Sequence, residues 1–170
     1  MACAITGGMT LDCRDSIGGI STVYIVEKAN VSSITASSGT ITAISMAGSS
    51  KFWTFNFQDE TGTFTDEIMT SDANGTVFSE QNLTFPVFKM GAAKRNLIKL
   101  LAQNKMCIMV TDNNGTTFLM GETIGATLQS TKGESGKTRA DMNGYNMVFK
   151  AREPYQCQVV TSGIISGIVQ

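Results

Sequence analysis

Only one segment of this 170-residue chain has a helical period. In KMGAAKRNLIKLLAQN, Met90, Ala93, Leu97, Leu100 and Leu101 fall at helical spacing, while Lys94, Arg95 and Lys99 sit away from that stripe. This predicts a single α-helix over about residues 90–104, with Asn104 as its stop. Elsewhere the pattern is that of strands and tight turns. STVYIVEKA is β-branched and aromatic, and the run VSSITASSGTITAISMA is divided by Ser38 and Gly39 as a hairpin would be. In KFWTFNFQ, Trp53, Phe55 and Phe57 alternate with polar residues, which predicts a strand with one apolar face and Trp53 in the core. GTVFSEQNLTFPVF is a long strand whose Pro86 belongs at an edge or exit. KMCIMVTD and TTFLMGE flank DNNG, a hairpin turn in which Asn114 and Gly115 tolerate positive φ. NGYNMVFKARE is a further strand. Eight or more strands with no βαβ alternation imply a mainly β fold, an antiparallel β-sandwich or barrel with one packed α-helix. The expected organisation is one domain over residues 1–170, with an N-terminal arm, a mobile loop near 130–140 and an apolar C-terminal tail.

Charge is sparse and unevenly placed. Asp, Glu, Lys and Arg make up 16% of the chain, against roughly 25% in a typical soluble domain. None lies between Lys28 and Lys51, and none follows Glu153. Such blocks suggest surface that another chain covers, the alternative being a Ser/Thr-rich surface that needs no partner. A net charge of −1 gives no long-range attraction to DNA or to an anionic membrane. No run approaches the roughly 20 apolar residues of a spanning helix, and the N-terminus does not read as a signal peptide, so folding in the cytoplasm is expected. Cys3, Cys13, Cys107 and Cys157 form no CxxC pair and read as small apolar residues.

Chemistry is hard to find. The chain has no histidine, which removes the Ser-His and Cys-His pairs and the HExxH zinc helix. TKGESGKTRADMNGY suggests a phosphate loop, but Thr131 stands where its first glycine belongs, and Asn143 and Gly144 follow too soon for a helix. TDNNG lacks the later oxygen ligands of a calcium loop. The pairs Asp59 and Glu60, and Asp66 and Glu67, read as solvated acids, and the helix bases Lys89, Lys94, Arg95, Lys99 and Lys105 lack interleaved aromatics. No catalytic residue, metal ligand or cofactor is assigned. An enzyme would have to rely on carboxylates such as Asp112 and Asp141, and a carbohydrate-binding module on Trp53 or Tyr145.

The ends point to assembly. SGIISGIVQ carries Ile164, Ile165, Ile168 and Val169 with no charge beside them, so it is either sticky or packed as a strand. Uncharged strand edges favour pairing between identical subunits around a ring. The plain alternative is a monomer whose tail folds onto its own sheet. The candidate subunit-interface residues are Ile164, Ile165, Ile168, Val169, Phe64, Ile68, Met69, Lys94, Arg95 and Lys99. The loops 59–74 and 130–140 are placed to reach a neighbour.

KRNLIKLLAQN, NKMCIMVTDNNGTTFLMGE, DMNGYNMVFKAREPYQCQVV and the opening TLDCRDSIGGISTVYIVE resemble a pattern of small virion proteins from tailed phages and prophages of Bacteroidota. Strands around one helix are also similar to the phage tail tube family. That resemblance implies a homohexameric ring with an inner β-barrel shared by the subunits, stacked into a conduit through which DNA passes unbound during ejection. It implies no catalytic residue and no cofactor. It also implies other virion tail proteins as partners, no membrane, and a place in the virion after assembly in the host cytoplasm. A tail terminator, a head-tail connector and a capsid-decorating domain are the alternatives.

Overall fold

The computed structural model describes residues 7–11 and 13–170. Its strands are β1 (Ile20–Glu27), β2 (Val31–Ser37), β3 (Thr40–Met46), β4 (Trp53–Phe55), β5 (Thr63–Ser71), β6 (Thr76–Phe88), β7 (Met106–Asp112), β8 (Thr117–Met120), β9 (Thr127–Glu134), β10 (Gly144–Glu153) and β11 (Gln158–Val160). The helices are α1 (Ala92–Gln103) and α2 (Ser162–Ile168). The strands form a seven-stranded sheet, in the order β2-β3-β11-β8-β7-β1-β4, and a four-stranded sheet, β5-β6-β10-β9. The fold is therefore mainly β and sandwich-like. Pairing is antiparallel except where β11 lies parallel to β3.

The first core lies between the sheets. Val23, Ile25, Ile108 and Val110 of the large sheet meet Leu83, Phe85, Met147 and Phe149 of the small one. Phe85 stacks on Phe149 at 6.0 Å and touches Phe55 edge-on at 6.2 Å. The opposite face of the large sheet carries a second core of Val26, Ile41, Phe52, Cys107, Met109, Leu119 and Val160. This explains why MCIMV is apolar without interruption: successive β7 side chains enter the two cores in turn, so both faces of the strand are dry. Ile41 and Ile44 reach the second core together although they are three apart, because the register slips by one residue at Thr42.

The expected turns form, with differences in detail. Ser38 and Gly39 both take positive φ, 51° and 80°, which suits a two-residue hairpin between β2 and β3. In the Asp112–Gly115 turn only Gly115 is left-handed, at φ 82°. Asp112 Oδ1 accepts the Asn114 and Thr116 amides at 2.9 and 2.7 Å, and Asn114 turns its side chain to the N-terminal segment instead. Pro86 lies beyond the last β5 pair, Thr63 with Thr84, so no strand on that side lacks a donor. The segment expected as a mobile loop over 130–140 is strand β9 as far as Glu134, paired with β10 through Tyr145 and Asn146.

Three expectations are corrected. Trp53, at the start of β4, is 59% exposed, and the buried aromatic is Phe52, one residue before the strand, which enters the second core. Of the stripe expected to bury α1, Leu101 is buried as expected, whereas Met90, Leu97 and Leu100 are exposed. The helix instead seats Ile98 and Leu101 on the inter-sheet core, and Lys94, one turn earlier on that side, is half-buried. The C-terminal tail is not free but folds onto its own sheet, as in the plain alternative, though not as a full strand. It forms α2, which lays Ile164, Ile165 and Ile168 on the second core, and then a single parallel bridge from Val169 to Phe52. Phe52 N donates to Ile168 O at 2.8 Å and Gln170 N donates to Phe52 O at 2.9 Å, so the chain's own end completes this edge of the large sheet.

Candidate assembly surface

The strand edges differ in charge. β5 carries Asp66 and Glu67, and β9 carries Lys132 and Glu134, the devices that keep an edge from pairing at random. β2, VSSITAS, has none and is mostly exposed. The fold also brings the two charge-free stretches of the sequence together, since α2 packs beside β3. The exposed residues there are Ser, Thr, Ala and Gly without an ionic group: Ser33, Thr35, Thr42 and Ala43 of the hairpin, and Ser166 and Gly167 of α2.

A second surface is the far end of the β5–β6 hairpin. β10 pairs with β6 only as far as Ser79, which faces Ile68 of β5, and beyond that point Met69 to Ser71 and Thr76 to Phe78 form a two-stranded overhang with Ile68 at its base. Phe64, Asp66 and Ile68 face one way along β5, as do Ser79, Gln81 and Leu83 along β6, and this is the inner face of the sheet. Phe64 is covered and stacks on Phe118 at 6.0 Å. Ile68 and Val77 continue that inner face past the body and are 54% and 65% exposed. Met69 is exposed on the other side of the ribbon.

The third surface is a groove of about 770 Å³ between α1 and the β1–β4 edge. Trp53, Phe55, Val87, Leu97 and Leu100 line it, with Lys51 and Lys94 also at its wall. The predicted basic residues do not act together. Lys94 Nζ donates to Phe88 O and belongs to the groove, whereas Arg95 and Lys99 border a separate shallow depression with Tyr145. Of the predicted interface residues, the structure thus groups Ile68 and Met69 on the overhang, assigns Ile164, Ile165, Ile168 and Val169 to the chain's own core, and separates Lys94 from Arg95 and Lys99. Sequence reasoning did not find Val77, Leu97, Leu100 or Trp53 as surface. Leu97 and Leu100 belong to the predicted helical stripe, of which only Leu101 turns inward.

The remaining polar clusters hold the fold. Glu153 is buried, and its carboxylate accepts the amides of Thr123, Ile124 and Gly125 at 2.9–3.1 Å, closing the turn after β8. Gln81, also buried, accepts the Gly121 amide at 3.1 Å. Asp66 accepts the Cys157 amide at 2.7 Å and the Ser79 hydroxyl. In GESGKT the amides of Lys137 and Thr138 donate to Asp141 at 2.7 and 2.8 Å, so the groups a phosphate would need are taken by the chain's own carboxylate. Those contacts hold the Asp141 carboxyl below its ordinary range, the Thr138 amide foremost. Cys13, Cys107 and Cys157 are free thiols, and Cys3 lies outside the described residues. Burial pushes the Cys107 thiol up to about 12, so it serves as a core side chain and not as a nucleophile at neutral pH. Among the described residues no helix is long and apolar enough to cross a membrane.

No family model matches the chain, and neither a curated protein nor a solved structure matches it.

Proposed function

We propose that this protein is a structural virion component, a tail tube subunit that assembles into rings, hexameric in the tail tube manner, which stack into a conduit for DNA. The overhang of the small sheet carries the reading. A ribbon of two strands is at best marginally stable in water, yet here it carries the inner face past the end of β10, and among the described residues Ile68 and Val77 on that face remain 54% and 65% exposed. A second copy placed there would complete the sandwich across the subunit boundary. The charge-free β2 edge offers such a copy a strand to pair with. Function in this reading is mechanical: paired strands give a stiff cylinder, and DNA crosses its lumen without adhering. Lys94, Arg95 and Lys99 then face outward or toward a neighbour, because a basic lining would retain the phosphates. No catalytic group, metal or cofactor enters this mechanism, and the protein resides in the virion with other tail proteins.

Negative-stain microscopy of the purified protein over rising concentration tests the proposal. Tubes or stacked rings are expected. Isolated rings that never stack would favour a terminator or connector, and uniform single globules would overturn both. The paired substitution Ile68→Glu and Val77→Glu should abolish assembly while leaving the melting temperature of the monomer within about 2 °C, since both side chains are more than half exposed.

A further inference from the structure

The N-terminal arm carries apolar side chains that have no place on their own body. The described residues 7–11 and 13–18 have no regular structure, and Met9 and Leu11, two residues apart, are fully exposed. The base of the arm, in contrast, is held firmly. The Asn114 side chain accepts the Ile17 amide and donates to the Ile17 carbonyl, both at 2.8 Å, and Asn113 Nδ2 donates to Gly18 O at 2.7 Å. Gly19 has φ +96°, and a Cβ there would stand 2.8 Å from the same Asn113 amide. A turn with no other evident task thus sets the direction in which the arm leaves the protein.

The groove beside α1 is the complementary feature. It is walled by Trp53, Phe55, Val87, Leu97 and Leu100, and its charged lining is two lysines, Lys51 and Lys94, against one glutamate, Glu27. The sequence following Leu11 is DCRD, two acids against one base. Apolar residues two apart, then a net negative charge, suit an apolar slot with a net positive rim. The chain's own arm is badly placed to fill it. The arm is anchored at the Ile20 end of β1, and the groove lies at the Ile25–Glu27 end, about 17 Å along the strand at 3.3 Å per residue. Residues 11–17 would have to run back almost fully extended.

We propose that the arm of one copy seats Met9 and Leu11 in the Trp53–Leu97 groove of a second copy, linking subunits by a strap separate from the overhang contact. This rests on the self-assembly reading and names the contact partner within it. Each strap is small and weak alone, and repetition around a closed ring supplies the avidity.

Trp53 is the only tryptophan, so its emission reports the groove. The test uses the full chain, the full-chain variant Met9→Asp with Leu11→Asp, and a peptide of residues 7–19 with Cys13→Ser. In the unaltered chain the emission should move to the blue as concentration rises. The variant should stay red-shifted over the same range. Peptide added to the variant should restore the shift saturably, and a peptide with Leu11→Asp should bind at least about tenfold more weakly, as expected for losing one buried leucine. The proposal is overturned if the peptide leaves Trp53 unmoved, if Leu97→Asp in the protein leaves peptide binding unchanged, or if the shift in the unaltered chain is independent of concentration, which would place the arm in its own groove. Microscopy of the same samples separates the two readings. Rings with no effect of the peptide remove the strap alone, and peptide binding without assembly upholds the groove assignment and removes the ring.

Discussion

Glu153 shows how much one buried side chain can hold. Its two carboxylate oxygens take three amides from consecutive residues of the turn after β8, and it is almost completely buried. Glu153→Gln keeps the shape but replaces one acceptor oxygen with a donor. Chemical denaturation of the variant should show a loss of about 1–3 kcal/mol, the usual cost of leaving buried donors unpaired. Its neighbour Glu122 acts in the opposite sense. Burial holds the Glu122 carboxyl above its ordinary 4.5, the Glu153 charge adds to this, and Tyr155 and Lys28 pull the other way. The folded state therefore binds this proton more tightly than the unfolded chain does. The associated stability is complete below pH 4.5 and declines as the pH rises through the raised folded value. Glu122→Gln should melt higher than the unaltered protein at pH 7, with the gap closing toward pH 4. A gap that widens on acidification would contradict the assignment. At this scale the sequence was legible where a residue's role is local, as with Ser38, Gly39 and Gly115, which had to occupy turns. It was silent on Glu153, because nothing around REPYQ tells a buried clamp from a solvated acid. It misled on Trp53, which stays exposed at the start of β4.

The elements divide in the same way. The β2–β3 and β7–β8 hairpins and strands β1, β6 and β10 could be read from period two and turn chemistry, and α1 from its helical period, because those signals lie within each segment. Whether α1 buries Leu97 or Ile98 depends on the sheet it meets, and of the predicted stripe only Leu101 lies on the buried side. α2 was missed since two glycines and three isoleucines in SGIISGI oppose helix formation locally. The overlooked signal was the spacing of Ile164, Ile165 and Ile168, which shares one helical face. The second core now depends on that face. Ile168→Asp should therefore destabilise the fold by about 2–4 kcal/mol, through lost burial and a charge against Phe52 and Val26, and it should raise binding of a hydrophobic dye. Were α2 a detachable tail awaiting a partner, the same change would leave the unfolding midpoint untouched and alter assembly only.

At the scale of the whole molecule, the β2 edge and the overhang offered for association are largely uncharged, and this has a thermodynamic consequence. Among the described residues, β2, α2 and the Ile68–Val77 overhang make no ion pair to screen, whereas Glu80 binds Lys150 at 2.7 Å and Arg152 at 3.1 Å on the outer side of the small sheet. An association steered by opposite charges weakens steeply as the Debye length falls from roughly 14 Å to roughly 4 Å between ~50 and ~500 mM salt. Association through these surfaces should change by less than about threefold over that range, as followed by sedimentation velocity. The arm contact, with its modest charge complementarity, accounts for whatever salt dependence remains. Warming from ~5 to ~25 °C should strengthen the assembly, because burial of apolar area is entropy-driven there. A steep loss of assembly with added salt would instead place Arg95, Lys99 or the Glu80 cluster at the subunit boundary, and would shift the contact from the overhang to the outer face of the small sheet.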